Sequence, residues 1–369
     1  MGEIAVLFGG PSPEHDVSIL TGLQAAHELL AAGHPVRTIY WTKLGAFVEV
    51  DPSLEAGAFL EGAPKGASAL TLTVGDGGGF CPEGGRLRSA KPLDLDAVIL
   101  CTHGGPGEDG TLQASLDLAG IAYTGPSLAG AALGMDKLAF GSVMIASGIP
   151  TLPRVALTTS LEDAGFPGPY IIKPRFGGSS IGIDVVTDLA AAKARLTSNP
   201  HLAQGAVLEP YRADLADLQV AVRTYPALEL SAIERPLRSG GAGEILGYTD
   251  KYVGGAGMAS APRQLPAELP EEQAATIRAL AGRVAEAVGV RGVARIDFLA
   301  NGSEIVVNEI NTIPGSLARY LFIEPLVPFR QLLDDLVAES TARPTRRYSA
   351  AGADGLVLRG AATIAAKLA

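Results

Sequence analysis

Apolar residues along this chain fall into short unbroken runs set between glycine-rich polar loops. Between those runs lie longer stretches where apolar positions recur every three or four residues. The first spacing is that of strands buried on both faces, the second that of amphipathic helices. Residues 4–8, "IAVLF", predict a strand, "GGPSPEHDVS" a loop, and "ILTGLQAAHELLAAG" a helix ending at Gly33. "PVRTIYWT" predicts a second strand. Residues 51–92, rich in Gly, Pro and Ala, carry no clear period. "LDAVILCTHG" is a further buried strand, with the polar loop "HGGPGEDGTL" at its carboxyl end. Strand, helix and strand in succession predict an α/β layer with a parallel sheet, whose ligands bind at the carboxyl ends of the strands. "SLDLAG" and "IAYTG" close this unit near residue 125.

Beyond it, "SLAGAALGMDKLAFGSVMIASG" predicts a helical stretch ending at Gly148. "YIIKPRFGGSSIGIDVV" reads as strand, glycine-rich loop and strand. "TDLAAAKARLTS" is a helix capped by Thr187 or Asp188, and "AVLEPY" and "LQVAVRTY" are strands. Residues 238–262 form a glycine-rich stretch expected to be a mobile loop. "EEQAATIRALAGRVAEAVG" is an amphipathic helix, "GVARIDFLANGSEIVVNEINT" a β-hairpin turning near Asn301-Gly302, and "PFRQLLDDLVAES" the last clear helix. Residues 341–369 are basic, then rich in Ala and Gly, and are expected to form a loose tail.

Length and composition narrow the picture. A chain of 369 residues predicts two or three domains. A formal net charge of −10 argues against a general nucleic-acid binder, which carries basic excess. Cys81 and Cys101 lack metal-ligand spacing, and Cys101 ends an apolar run as a buried thiol would. The start of the chain reads as a strand and a glycine turn rather than a signal peptide, and Val6 breaks the myristoylation pattern. No apolar run reaches the roughly 18 residues of a membrane span. The expectation is a soluble cytoplasmic protein.

The hairpin carries the first candidate chemistry. Arg295 and Asp297 share one face of a strand, as do Glu309 and Asn311 on the next. The two pairs meet on one face if Asp297 pairs with Val307 or the register slips from that by an even number. A two-residue turn gives the other parity, so an odd loop of three or five residues with a bulge is predicted. Asp297, Glu309 and Asn311 would then form a hard oxygen set suited to Mg²⁺ held together with substrate phosphates. A solvated hairpin face with incidental charges fits the same spacing. In "IIKPRFGGSSIG", Lys173 precedes a flexible loop whose backbone N–H groups could meet a phosphate. That loop matches neither the Walker A nor the dinucleotide pattern, and plain turn punctuation also explains it. Glu14 lies just before the first helix, where it could cap the helix or hold a substrate ammonium. His103 and Glu108–Asp109 follow another strand of the same unit, where aiming at the same crevice and a purely structural role both fit.

Together these residues resemble the D-alanine–D-alanine ligase family of the ATP-grasp superfamily, from about residue 4 to 338. Seven motifs carry the resemblance in the family's order: "LFGGPSPEHDVS", "HGGPGEDGTLQASLDLAGIAYTG", "MDK", "IIKPRFGGSSIG", "DKY", "ARIDF" and "NEINTIPG". It implies an α/β (α+β) ATP-grasp fold. An N-terminal open parallel-sheet α/β substrate domain would span 1–125, a central ATP-grasp subdomain 126–208, and a C-terminal antiparallel-sheet catalytic domain 209–340, before the 341–369 tail. It implies that Glu14 holds the amino group of the first D-alanine and closes the site with Ser179 and Tyr252. His103 would lie near that substrate's carboxylate. Lys137, Lys173 and Lys251 would contact ATP phosphates, Glu209 the adenine and Asp217 the ribose. Arg295 would stabilise the reaction centre, and Asp297, Glu309 and Asn311 would hold two Mg²⁺ ions, or Mn²⁺ in their place.

The implied reaction is an ATP-dependent ligation through an acyl phosphate, supplying peptidoglycan precursors, in a cytoplasmic homodimer with no membrane or nucleic-acid partner. Two departures stand out. The family usually has Lys after the adenine-pocket Glu, and here that residue is Pro210. "PGSLARYLF" replaces the usual sequence after the metal ligands, so the serine that grips the second substrate aligns near Tyr320, with Arg319 beside it. Arg319 either lines the acceptor pocket or points to solvent. The altered segment leaves two alternatives to the ligation of two D-alanines: a dipeptide or depsipeptide ligase with another second substrate, or a non-catalytic binder of nucleotide or amino acid.

Overall fold

The structure is a computed structural model that describes residues 3–83, 91–237, 262–345 and 349–359. Strand β1 (Glu3–Gly9) is flanked in parallel by β2 (Val36–Trp41) and β6 (Leu95–Leu100). Those three are the buried runs of the sequence. Three more strands follow, β3 (Phe47–Val50) just before the stretch without a clear period and β4 (Ser68–Thr73) and β5 (Gly79–Pro82) within it; they continue the sheet antiparallel in the order β5-β4-β3-β2-β1-β6. The sheet is therefore mixed, not purely parallel. The added strands are short and lie toward one edge, which is why their period is weak.

Helix α1 (His15–Ala31) begins four residues earlier than its apolar period suggests. Ser18 is buried and polar rather than apolar; its hydroxyl donates to Cys101 O at 2.8 Å and accepts from Gly9 N–H at 2.7 Å. The predicted helical stretch after residue 127 is broken in two: α3 (Leu128–Met135) and α4 (Lys137–Ala146), after the short α2 (Thr111–Ala119). The break is Asp136, whose carboxylate accepts from Leu138 N–H and Ala139 N–H as the N-cap of α4. Arg175 pairs with the same carboxylate at 2.5 Å, so the break also ties α4 to the second sheet.

That sheet is antiparallel, in the order β7 (Val155–Leu157), β10 (Ala206–Pro210), β8 (Tyr170–Pro174), β9 (Asp184–Val186). Helix α5 (Leu189–Ser198) covers it and is capped by Asp188, which accepts from Ala191 N–H at 2.9 Å. A third antiparallel sheet runs β12 (Glu229–Leu230), β11 (Ala216–Arg223), β15 (Val293–Ala300), β16 (Ile305–Asn311), and a two-stranded ribbon pairs β13 (Arg235–Pro236) with β14 (Arg263–Gln264). Helix α6 (Glu271–Val288) packs on it through Ile277, Leu280, Ala281 and Val284.

The last helix, α7 (Phe329–Ala342), returns to the first sheet. Its Leu332, Leu333, Leu336 and Val337 share one core with β1, β6 and α1. The expected loose tail is anchored where it starts: Thr345 donates to Asp117 at 2.5 Å, and Arg343 O accepts from Arg291. No helix of the described residues is long and apolar enough to cross a membrane.

Candidate active site

The β15–β16 hairpin answers the parity question, and not by its loop. The strands pair up to Ala300 and Ile305, which leaves four residues between them instead of an odd number. Asn301 Oδ1 accepts from Ser303 N–H and Glu304 N–H, so the side chain closes the turn. The register then shifts between Asp297 and Phe298: Val307 pairs with Phe298, Glu309 with Asp297, and Asn308 is the extra residue. This bulge restores the phase that the even loop would have lost. Arg295, Asp297, Glu309 and Asn311 share a face, as the spacing required.

On that face Arg295 holds Asp297 with two bonds, Nε to Oδ1 at 2.7 Å and Nη2 to Oδ2 at 2.9 Å. Asn311 Nδ2 donates to Asp297 Oδ2 at 3.2 Å, and Lys137 Nζ lies 3.4 Å from Glu309. No cluster of three His, Cys, Asp or Glu side chains that could hold a metal stands among the described residues. The set is two carboxylates and an amide, which a divalent ion would need phosphate oxygens to complete. The donors are all hard oxygens, and Asn311 commits its amide nitrogen to Asp297, leaving its carbonyl oxygen as a ligand. The residues therefore fit Mg²⁺ bound together with a nucleotide.

An open cleft of about 990 Å³, counted to its mouth, runs between the second and third sheets. Lys137, Lys173, Glu209, Asp217, Asp297 and Glu309 line it, with Ile171, Ile181 and Leu299 as apolar walls. Lys173 Nζ donates to Glu209 Oε2 at 2.7 Å and to Asn308 Oδ1 at 2.9 Å. Burial pushes the Glu209 carboxyl upward, but Lys173 and Arg154 outweigh it and hold the group below the usual range, as an anion.

Glu309 also lines a smaller polar pocket with Glu14, His103, Glu108, Ser179, Arg295, Asn311 and Gly315. Ser179 donates to Glu14 across the glycine-rich loop, whose Ser179 and Ser180 take left-handed backbone angles. Gly104 is required here: at φ +62 it brings the loop so close that a Cβ would sit 2.5 Å from Glu14 Oε2. His103 is fixed on both sides. Ile313 O can only accept, so Nδ1 carries the proton of that 2.7 Å bond. Burial pushes the imidazole down to about 4, so it is neutral and Nε2 accepts from Thr21 Oγ1 at 2.8 Å. The Thr21 oxygen in turn accepts from Ser316 N–H at 3.0 Å.

Glu108 accepts from Gly104 N–H at 2.9 Å and Ile313 N–H at 3.0 Å, and burial together with neighbouring Glu14 pushes its carboxyl up to about 7. Asp109, its neighbour in sequence, instead takes Thr111 N–H at the start of α2. Thr21 was not legible as part of the site; it looks like any helical threonine. Glu108 was visible only as one of two adjacent acids.

In the segment after the hairpin, the structure agrees with the second of the two readings of Arg319. Arg319 is exposed, with its guanidinium 4.8 Å from the Phe329 ring, and lines neither the cleft nor the pocket. Ser316, Leu317 and Ala318 form a left-handed turn, φ 49 to 51, that swings the next side chains apart. Tyr320, by contrast, has Arg263 stacked 5.0 Å over its ring; burial pushes its phenol up to about 12, with Arg295 the strongest charge acting on it. Lys251 and Tyr252, and the expected mobile loop that holds them, lie outside the described residues.

The chain is similar to known proteins over most of its length. A family model described as D-ala D-ala ligase N-terminus matches residues 3–126, and one described as D-ala D-ala ligase C-terminus matches 143–338. A D-alanine–D-alanine ligase of Bradyrhizobium sp. (strain ORS 278) is 31% identical over 93% of this chain and 96% of its own length. One from Corynebacterium jeikeium is 33% identical over 92% and 97%. Among solved structures, the D-alanine–D-alanine ligase of Helicobacter pylori aligns with a TM-score of 0.72 at 25% identity, over 94% of this chain and 100% of that one. The VanG D-Ala:D-Ser ligase of Enterococcus faecalis aligns at 0.73 and 26%, over 92% and 99%. The fold is the ATP-grasp fold, and the chain belongs to the D-alanine–D-alanine ligase family.

Proposed function

We propose that this enzyme joins two D-alanines with ATP, through an acyl phosphate, to supply peptidoglycan precursors. The observation that carries the reading is Glu309, which lines both the nucleotide-sized cleft and the small polar pocket. A phosphate reaching from the cleft and a carboxylate held in the pocket would meet beside it. ATP would lie along the cleft, with adenine toward Glu209, ribose toward Asp217, and phosphates toward Lys137, Lys173 and Lys251. Glu14 would hold the ammonium of the first D-alanine, whose carboxylate attacks the γ-phosphate and releases ADP. The amine of the second D-alanine then attacks the acyl carbon, loses a proton and expels phosphate.

Arg295 would stabilise the oxyanion of that tetrahedral intermediate. Asp297, Glu309 and Asn311 would hold Mg²⁺, or Mn²⁺, which when bound neutralises charge on the phosphate oxygens. His103, neutral and bonded at both nitrogens, contributes no positive charge; its part is to hold the 313–316 turn. Ser179 and Tyr252 with Glu14 would close the site against water. A homodimer in the cytoplasm, free of membrane and nucleic acid, belongs to the same proposal.

A second reading, a ligase with a different acceptor, draws on Tyr320, which takes the place of the expected serine within electrostatic reach of Arg295. The test is phosphate release from MgATP with D-alanine alone, then with a panel of second amino and hydroxy acids, products identified by mass. D-Alanyl-D-alanine from D-alanine alone is the expected result. Turnover only with another acceptor would transfer the reading to the second. No turnover with any acceptor would overturn both.

A further inference from the structure

In a regular strand, successive side chains point to opposite faces. At the bulge of β16 they do not. Asn308 and Glu309, one after the other, both line the cleft, while Val307 and Ile310 on either side of them lie in the core beneath α6. The segment before β7 holds this bulge in place. Val307 N–H donates to Pro150 O at 2.8 Å, Thr151 Oγ1 donates to Val307 O at 2.8 Å, and Arg154 Nη2 donates to Asn308 O at 3.3 Å. Arg154 Nε also stands 3.4 Å from the Glu209 carboxylate. So turned, Asn308 reaches from one wall of the cleft to the other. Its Oδ1 accepts from Lys173 Nζ at 2.9 Å, and Glu209 Oε2 accepts from the same ammonium at 2.7 Å. Lys173 and Glu209 belong to the adjacent strands β8 and β10 of the second sheet, and Asn308 belongs to the third.

We propose that Asn308 is a positioning residue for the nucleotide phosphates: it holds the Lys173 ammonium at the cleft against the pull of Glu209, and does so without neutralising its charge. The proposal rests on the reading of the cleft as the nucleotide site. An ammonium has three N–H donors and no acceptor. Glu209 and Asn308 take one each from opposite walls, and the third can serve a phosphate in the cleft that Lys173 lines. Glu209 is an anion on a side chain 1% exposed, so acting alone it would draw Nζ down onto the floor. An amide oxygen opposes that pull as a neutral acceptor. A carboxylate in the same place would oppose it too, but would cancel the charge that a phosphate pairs with. The bulge is the means, because a regular strand could aim only one of residues 308 and 309 at the cleft.

The experiment is a double-mutant cycle on the full-length protein. Wild type, Asn308→Leu, Lys173→Met and the double variant are each titrated by calorimetry with ADP and with adenosine in magnesium buffer, alongside a melting curve. Asn308→Leu should weaken ADP about tenfold, the worth of one charge-assisted hydrogen bond, and leave adenosine nearly unchanged. In the Lys173→Met background the same substitution should alter ADP binding by about twofold at most. An ADP affinity unchanged or raised by Asn308→Leu overturns the proposal, and so does an equal loss for ADP and adenosine. An equal loss with and without Lys173 also overturns it, since the effect would then run through Glu309 or through direct contact with the ligand. Each of these outcomes leaves the nucleotide reading intact, whereas a wild type that binds neither ligand removes both. If Asn308→Leu does not fold, Asn308→Ser, which shortens the side chain and removes its carbonyl, takes its place in the cycle. If Lys173→Met does not fold, the ratio of ADP to adenosine affinity decides alone: a lowered ratio supports the proposal, an unchanged one overturns it.

Discussion

The two ends of the site bury titratable side chains to a similar degree and treat their charge in opposite ways. In the cleft, Glu209 stays ionised because Lys173 and Arg154 stand against it. In the small pocket, Glu108 is pushed up to about 7 and His103 down to about 4, so burial drives both toward neutrality. Paired opposite charges offset desolvation; an acid near another acid, or an imidazole near an arginine, cannot. The difference suits what each end is proposed to receive. Phosphates bring several negative charges and need standing cations. A zwitterionic amino acid brings its own balance, and Glu14 needs neighbours that do not compete for its ammonium.

Mutations can break or sharpen this contrast. The largest effect is expected from Arg295→Met, which should lower kcat about 10²–10³-fold while ADP still binds by calorimetry. Loss of ADP binding in the same variant would mean that the two ends are not separable. Next is the pH dependence carried by Glu108. An acid whose folded pKa lies above its unfolded one stabilises the fold below the unfolded value and loses that contribution as pH rises through the folded value. Stability should fall by about 2–3 kcal/mol between roughly pH 4.5 and 7, and Glu108→Gln should flatten that slope in urea titrations.

Thr21→Val should cost about 1–3 kcal/mol, because Ser316 N–H and His103 Nε2 lose their partner in a buried place. It should also raise the KM of the second D-alanine more than that of ATP, with Thr21→Ser restoring both. Equal rises in the two constants would show that the turn serves the fold alone. The smallest effect is expected from Arg319→Ala: about 0.5 kcal/mol from the lost ring contact, and an unchanged acceptor KM. A raised acceptor KM would return Arg319 to the pocket.

What could be read beforehand follows the same division. The shared face of Asp297, Glu309 and Asn311 was legible because strand periodicity is strict. The way it is achieved was legible only in part: a bulge was expected together with an odd loop, whereas the loop has four residues and the bulge falls within the strand at Asn308. The break at Asp136 was hidden inside a continuous helical period; only the N-cap chemistry of an acid before Lys137 signals it. Strands β3 to β5 were unread because short strands at one side of a sheet carry little alternation. Arg319 could not be placed beforehand because three successive residues in a left-handed turn redirect the chain, and none of the three is glycine. Arg154 and Thr21 carried no signal at all. Their partners are a bulge carbonyl, a carboxylate and a histidine at distant positions.

The return of α7 to the first sheet has a consequence in time. Val98, Leu112 and Leu116 belong to the same core as Leu332, Leu333 and Leu336. A ribosome makes the first group roughly two hundred residues before the second, an interval of about 10–40 s at ordinary rates of synthesis. Through that interval the nascent first sheet carries an apolar face whose own covering has not been translated. The segment that closes it also carries the 313–318 turn into the active site, so the pocket and the oldest part of the core are completed in the same late event.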